Sequence, residues 1–440
     1  MNKMGLLRGA AFGFVMAASF MTFDAPAQPA PGPAKPAETT PAVAAPLAIV
    51  GGRVHTGTGE VIADATILIE KGLVQKVGKG LAVPAGVTTI DAKGRIVTPG
   101  FIDSLTGVGI IEVSLEDETH HDDRGGGDPI RAAFRAADGY NPASILIGIA
   151  RTHGITSVGA IPSGGLFSGL SAWADLDGTT REETLGRAEL ALHVHLDENM
   201  DGARGGAAGA LLRTREAFDD ARTFQKNKGA FERNQSRPFA PSRLDLEAIT
   251  NALTGKVPVV FHVQRAPDIL AALQVAKEFN LRPIIAGGAE AWKVARQLAA
   301  AKTPVLVNPI LAGPTSFDNL GARDDNAALL HAAGVSVIIT TNDTHNVRKL
   351  RQLAGNAVRA GMPHEAAISA VTRAPAEAFG MATQYGTLAP GKTANVVVWS
   401  GDPFETSTQA TAVIIRGRSV DLTNRQSLLF QRYRKLPAAR

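Results

Sequence analysis

A series of short apolar segments, each followed by a stretch of helical periodicity, runs through the second half of this 440-residue chain. The apolar segments are 257–263, 282–286, 304–307 and 335–341, and the helical stretches are 268–279, 290–301, 326–333 and 347–360. Strands that are apolar throughout are buried on both faces, which is typical of a parallel sheet covered by helices. Four such units in series predict an α/β fold, a (β/α)8 barrel of the TIM type, rather than a short doubly wound sheet.

The two ends of the structured region have a different pattern, with short β-type runs separated by turn-forming residues. Such runs fill 47–98, and two more lie at 394–400 and 412–416. We expect 47–98 and 384–425 to pair as a small composite β-sandwich, although they are distant in sequence. Residues 99–383 would then form the barrel, with its earlier strands near 100–105, 155–161, 169–174 and 189–196.

The N-terminus has the features of a secretory signal peptide. Lys3 and Arg8 precede an apolar stretch, 9–23, which is short for a membrane span, and Ala-Pro-Ala at 25–27 matches a cleavage signal. We therefore predict a signal peptide over 1–27 and a Pro/Ala-rich linker over 28–46. The interpretation is a periplasmic or secreted protein with no membrane span after cleavage.

Composition excludes several classes of function. The chain has no cysteine, which rules out disulfides, thiolate metal ligands and thiol nucleophiles. The net charge is +4 and aromatic residues make up 5%. The basic stretch 213–243 also carries acidic residues, so we do not predict nucleic-acid binding.

Three segments resemble the amidohydrolase superfamily, in particular its secreted, imidazolonepropionase-like members. They are VTPGFID at 97–103, the stretch 376–405 with its Gly-x-Leu-x-x-Gly-Lys-x-Ala pattern, and VIIRGRSV at 413–420. One departure is Asn395, where the family usually has Asp. The resemblance implies a divalent metal, most often zinc, at the carboxyl ends of the barrel strands, where it lowers the pKa of a bound water.

Most positions at which the resemblance implies a metal ligand hold other residues. Leu105 and Gly107 stand in the places of two histidines, Gly287 in the place of a third, and Asn342 in the place of the aspartate. Of the five positions, only His262 keeps a metal-binding side chain. An amide cannot take a proton from metal-bound water, so the usual mechanism cannot run with these residues.

A rebuilt metal site is the alternative. His193, His195 and Asp197 alternate along the predicted fourth strand and share one face if that strand is regular. His193 and His262 could then hold one divalent ion, with Asp343 as the catalytic carboxylate. Further ligand-binding candidates are His195, Gln264, Asn342 and His345.

The remaining histidines are weaker candidates. His120 and His121 precede two aspartates in the long insertion after the first barrel strand, and we predict a solvated loop there. We expect the lone His55, His153, His331 and His364 to be surface or capping residues.

Three functions stay open at this stage, including whether the chain is an enzyme at all. The first is a non-catalytic or partner-dependent family member that binds a small molecule, as a homodimer or as a heteromer with an active relative. The second is a hydrolase of C–N bonds with a rearranged metal site. The third is a metal-free enzyme that uses Asp343, His262 or the insertion histidines, His120 and His121, as general acid and base.

Overall fold

Short runs rich in Val, Ile and Ala form the strands, because such side chains pack well on a pleated, buried surface. The computed structural model describes residues 44–122, 128–196, 206–310, 313 and 316–434, all within one unit, Val43–Arg440. The predicted signal peptide, most of the linker and Asp197 lie outside these residues. The strands are β1 (Leu47–His55), β2 (Val61–Glu70), β3 (Leu73–Lys79), β4 (Thr88–Asp91), β5 (Ile96–Pro99), β6 (Phe101–Thr106), β7 (Ile155–Ala160), β8 (Phe167–Leu170), β9 (Ala172–Asp175), β10 (Leu185–Arg187), β11 (Leu192–His195), β12 (Val259–Val263), β13 (Pro283–Gly287), β14 (Val305–Val307), β15 (Val337–Ile339), β16 (Val396–Trp399), β17 (Ala410–Ile415) and β18 (Arg418–Ser419).

Helices separate the later strands, as the sequence pattern predicts. They are α1 (Ala136–Gly139), α2 (Ile145–Arg151), α3 (Arg181–Thr184), α4 (Gly206–Lys226), α5 (Lys228–Glu232), α6 (Arg243–Leu253), α7 (Ala266–Glu278), α8 (Ala295–Ala300), α9 (Asn326–Ala332), α10 (Leu350–Arg359), α11 (His364–Ala370), α12 (Arg373–Ala378) and α13 (Arg425–Tyr433). Short 3-10 turns lie at Asp117–Thr119, Ala291–Val294, Phe317–Asn319 and Val347–Lys349. In the described part of the chain, no helix is both long and apolar enough to cross a membrane.

The two ends of the chain meet in one eight-stranded sheet. Its order is β18-β17-β16-β5-β1-β2-β3, with β4 also paired to β1. The junction between N- and C-terminal segments is the antiparallel pair β5–β16, in which Val97 lies opposite Val398. Both valines are fully buried in a separate apolar cluster. The sheet therefore unites the segments that the sequence predicts to pair; a second facing layer, which a sandwich requires, stays a prediction.

The parallel strands form two further sheets. One runs β15-β14-β13-β12-β11-β8 and is parallel from β11 to β15; the other runs β10-β9-β7-β6. Hydrogen bonds from Thr340 and Thr341 to Asp103 connect β6 with the segment that follows β15. The main apolar core lies between these sheets and the helices around them.

The predicted strand at 169–174 is wrong as a single element. The chain breaks at Ser171 into β8, which pairs antiparallel with β11, and β9, which pairs antiparallel with β7. Gly169 has φ of +120° beside the Phe134 carbonyl, and the Ser171 amide donates to the Ala191 carbonyl. These contacts come from distant segments, so local periodicity could not predict the break.

Candidate functional site

A cavity of about 650 Å³ lies at the carboxyl ends of β12 to β15. We call it the strand-end cavity. Its polar lining consists of Ser163, His195, His262, Gln264, Asn308, Asn319, Arg323, Asn326, Thr340 and Asn342. In α/β folds with parallel strands, this end of the sheet is where loops converge and ligands bind.

Three histidines meet beside the cavity because β11 and β12 run parallel and in register. His195 lies opposite His262 in that ladder, and their rings stack with centroids 4.0 Å apart. His193 also contacts the His262 ring, because its Nδ1 lies 2.9 Å from His262 Nε2. The structure therefore brings together the two predicted metal ligands, His193 and His262, but as a hydrogen-bonded pair.

Burial keeps this pair uncharged. It lowers the pKa of His193 to about 3 and that of His262 well below its usual value, with nearby His195 lowering both further. A neutral imidazole has one donor and one acceptor nitrogen, so a single hydrogen is shared between the two rings. The second nitrogen of His193, Nε2, is buried and has no hydrogen-bond partner among the described residues.

Asp343 and His345 do not line the strand-end cavity. The Asp343 carboxylate accepts hydrogen bonds from the His345 and Asn346 amides at 3.0 and 3.1 Å. Although burial alone would raise its pKa, the hydrogen bonds from Asn346 and its neighbours lower it. Asn342 has φ of +48°, so the chain turns just before Asp343 and strand alternation no longer applies. Among the described residues, neither side chain joins His193 and His262.

His345 instead holds the insertion that follows β6. Its Nδ1 lies 3.0 Å from Ser114 Oγ and its Nε2 lies 2.9 Å from the Glu112 carbonyl oxygen. The prediction that His345 contacts a ligand thus receives no support from its position.

Neighbouring side chains fill the places of the replaced ligands. A Cβ on Gly287 would lie 2.3 Å from Gln264 Nε2, and one on Gly107 would lie 2.3 Å from Thr344 Oγ1. Leu105 is 2% exposed and packs in an apolar cluster with Val260 and Leu306. The space for additional imidazoles is therefore occupied on both β6 and β13.

The residues present do not fit the divalent metal that the resemblance implies. No Asp or Glu is found among the lining residues that the structure describes. The two imidazoles in the lining, His195 and His262, are stacked on each other. The third histidine, His193, is hydrogen-bonded to His262. A metal site with an open position needs three ligands converging from different strands, and that arrangement is not built here.

Amide side chains are prominent in the polar lining, and those of Asn308, Asn326 and Gln264 are oriented by hydrogen bonds to the backbone. Asn308 Nδ2 donates to the Thr341 carbonyl at 2.8 Å, and Asn326 Nδ2 donates to the Gly288 carbonyl at 2.9 Å. Gln264 Oε1 accepts from the Ala289 amide at 3.3 Å. Arg323 supplies the guanidinium of the lining and pairs with Asp325, with Nη2 2.6 Å from Oδ2. Oriented amides of this kind can fix a polar ligand by direction.

The prediction of a solvated loop at 120–123 is wrong for Asp122 and for the His120 side chain, whereas His121 is exposed. Asp122 is buried, and its carboxylate accepts from Ser163 Oγ at 2.6 Å, which places this insertion beside the cavity lining. His120 lies 3.5 Å from Asp122 through Nδ1 and Oδ1. Asp123 lies outside the described residues.

A second polar cluster was missed by the sequence analysis. His55, expected at the surface, is 4% exposed, and together with His364 and Glu365 it forms a group of metal-binding side chains. No motif spacing connects residue 55 with residue 364. Only the packing of α11 against the end of β1 brings them together.

Residues 265–423 match the family model described as Amidohydrolase family. An amidohydrolase structure from Thermotoga maritima MSB8 superposes with a TM-score of 0.78 at 27% identity, covering 85% of this chain and 99% of that one. Amidohydrolase tasK of Hapsidospora irregularis is 26% identical over 404 residues, or 80% of this chain.

The match with curated relatives is partial in length. This chain covers 39% of the tasK protein. A dihydroorotase of Geobacter metallireducens is 43% identical over 74 residues, which is 17% of this chain and 16% of the dihydroorotase. The fold likeness thus extends over most of the chain, the family model matches 265–423, and the dihydroorotase likeness is confined to a short segment.

Proposed function

We propose that this chain is an amidohydrolase-family protein whose strand-end cavity binds a polar small molecule and does not hydrolyse it through the family's usual metal; the family likeness supports the first part. One observation carries the proposal. The strand ends at which metal ligands are expected hold Leu105, Gly107, Gly287 and Asn342, and the described cavity lining offers amides and imidazoles in place of carboxylates. Such a lining binds and orients, but among the described residues it offers no carboxylate to take a proton from metal-bound water.

The ligand class follows from the lining. Gln264, Asn308 and Asn342 each carry both a donor and an acceptor, which complements a molecule with paired N–H and C=O groups. We infer an amide, a cyclic amide or a peptide-like compound, which the ancestral chemistry of a C–N hydrolase would also have recognised. Retention of such recognition after loss of hydrolysis makes a non-catalytic or partner-dependent role the working proposal.

Three finer features belong to the same proposal. We infer that the two parallel sheets close into a (β/α)8 barrel, supported by the Thr340 and Thr341 bonds to Asp103. We propose that the chain belongs to the imidazolonepropionase-like branch, and its motifs at 97–103 and 376–405 support this. We infer export to the periplasm or beyond on the sequence of 1–27.

The alternative is a hydrolase with a rearranged metal site, favoured by the 2.9 Å approach of His193 and His262. A metal there would have to displace their shared hydrogen and recruit a carboxylate from outside the described lining. The metal-free acid–base alternative keeps His262 in the lining, but Asp343 does not line the cavity and burial holds the pKa of His262 well below its usual value.

Ligand binding and turnover can be tested on the same panel of amides, cyclic amides and dipeptides. We expect at least one compound to raise the melting temperature of the wild-type protein without being consumed, with zinc or manganese present. Gln264→Leu should abolish the shift, whereas Gln297→Leu, which changes an exposed glutamine on α8, should not. Hydrolysis of any panel compound that is lost in His262→Ala would contradict the proposal and favour the rearranged site.

A further inference from the structure

Two histidines and a glutamate converge where the end of β1 meets the start of α11. His55 Nδ1 lies 2.8 Å from Glu365 Oε1, and His364 Nδ1 lies 3.3 Å from the same oxygen. One ligand atom from each of the three residues can be chosen so that all lie within 4.8 Å of one another. Within the described part of the chain, no other group of three or more potential metal ligands lies this close together.

The two separations that involve Glu365 are close to those of a tetrahedral site. Ligand atoms about 2.0–2.1 Å from a tetrahedral zinc ion lie roughly 3.3 Å from one another. The His364–Glu365 distance already has this value, and the His55–Glu365 distance is 0.5 Å shorter (3.3 − 2.8). A small rotation of the Glu365 side chain would admit an ion between the three groups.

A carboxylate behind one histidine supports the same interpretation. His364 Nε2 lies 3.1 Å from Asp402, so the ring is held between Asp402 on one side and Glu365 on the other. Metal-binding histidines commonly direct their second nitrogen at a carboxylate, which fixes the ring and makes it a better ligand. Asp402 lies in the segment between β16 and β17, so three separate parts of the chain build the cluster.

Two buried polar atoms of the cluster lack a partner. His55 Nε2 and Glu365 Oε2 are buried without a hydrogen bond among the described residues, and His55 as a whole is 4% exposed. An unsatisfied carboxylate oxygen is costly to bury, and a bound cation would remove that cost.

We propose that His55, His364 and Glu365 bind one zinc ion at the contact between β1 and α11. A set of two imidazole nitrogens and one carboxylate oxygen suits zinc, whereas magnesium and calcium prefer oxygen ligands alone. Glu365 also lines a second cavity of about 520 Å³, through which an ion and a fourth ligand can enter. The site is separate from the strand-end cavity. It goes beyond the proposed function, since it would act by joining the eight-stranded sheet to α11.

Zinc binding to the full chain tests the proposal directly. The protein is stripped with a chelator, dialysed and titrated with zinc against a chromophoric competitor, and the bound metal is then counted by elemental analysis. We expect one zinc per chain, with loss of at least tenfold in affinity for Glu365→Gln. Asp402→Asn, which leaves all three ligands in place, should weaken binding about 10- to 100-fold.

Two control variants separate this site from other histidines. His331→Ala removes an exposed histidine that lines the same second cavity but is not in the cluster, and should bind zinc normally. His262→Ala should also bind normally. Zinc lost in His262→Ala but kept in Glu365→Gln would overturn both this inference and the proposed function. No zinc in the wild-type chain would overturn this inference alone.

Cobalt spectroscopy tests the coordination geometry of the site, and far-ultraviolet circular dichroism is the control for folding. Cobalt in place of zinc gives visible absorption bands whose intensity reports tetrahedral coordination. We expect these bands in the wild type and in His331→Ala, and their weakening in Asp402→Asn at unchanged far-ultraviolet circular dichroism. Bands of equal strength in the wild type and Asp402→Asn would contradict the assigned role of Asp402 and with it the site.

Discussion

Gln264 occupies the space that a side chain at residue 287 would need: a Cβ on Gly287 would lie 2.3 Å from Gln264 Nε2. The two residues sit at the carboxyl ends of neighbouring strands, β12 and β13. Glycine on one strand thus gives room to the amide on the other, and the amide lines the strand-end cavity. The replacement at position 287 and the residue at 264 form one structural unit.

Gly287→Ala should lower the stability of the protein by about 1–3 kcal/mol. The main cause is the backbone, because φ is +92° at this residue and a Cβ is strained there. The contact with Gln264 contributes less, since the end of a flexible side chain can move. Chemical denaturation of Gly287→Ala, Gln264→Ala and the double variant separates the two causes. If Gln264→Ala rescued most of the loss, the contact and not the backbone would be the dominant cause.

Acid should destabilise the protein through the His193–His262 pair. The folded-state pKa of His193 is about 3, below its ordinary value of 6.5, so the unfolded chain binds more protons between these pH values. This contribution to stability is therefore complete above pH 6.5 and is lost as the pH falls towards 3. We expect His193→Gln to show a smaller fall in melting temperature between pH 7 and pH 4.5 than the wild type. His331→Gln, at an exposed histidine, should follow the wild type; equal slopes for all three would disprove the assignment.

Asp103 should act in the opposite direction. Complete burial raises its pKa from 3.8 to about 6, although hydrogen bonds from Thr340 and Thr341 oppose the shift. The folded protein then binds more protons than the unfolded chain between pH 3.8 and 6, so stability from this group is present below pH 3.8 and is lost as the pH rises through 6. The shift corresponds to about 3 kcal/mol. Relative to wild type, Asp103→Asn should gain stability from pH 4 to pH 7 in urea unfolding, and a constant difference would contradict the prediction.

Asn395→Asp, the change towards the family's usual residue, should destabilise this chain by about 1–3 kcal/mol at pH 7. Asn395 Nδ2 donates to Ser157 Oγ at 3.1 Å and to Asp175 Oδ1 at 3.3 Å, and Asp175 is fully buried. A second carboxylate would lose both donors and face a like charge. Because protonation relieves that repulsion, the deficit should shrink as the pH falls.

A variant that exchanges the amide of Asn395 and the carboxylate of Asp175 is the control for this prediction. In the double variant Asn395→Asp with Asp175→Asn, one carboxylate and one amide are again paired, with Arg416 still next to them. We expect the double variant to melt closer to the wild type than Asn395→Asp does. A double variant that is less stable than the sum of the two single changes would show that Arg416 requires the charge at residue 175.

Sequence periodicity located the later strands and helices well, because burial on both faces leaves a continuous apolar run. The segment 257–263 contains β12, and 326–333 contains α9. It failed at 169–174, where β8 and β9 join different sheets. Pairing partners there are set by hydrogen bonds to distant strands, and a four-residue strand carries too little pattern to show its partner.

By itself, the sequence determined which residue types stand at the strand ends, since motif positions such as 97–103 anchor the comparison with the family. It therefore predicted that ligands are replaced at these positions, and it predicted that His193 and His262 lie on adjacent strands. Only the tertiary structure decided where side chains point. The turn at Asn342 removes Asp343 from the cavity, Gln264 fills the space at Gly287, and the packing of α11 on β1 joins His55 to Glu365. Backbone direction and contacts between segments hundreds of residues apart are properties of the packed chain, and no local pattern encodes them.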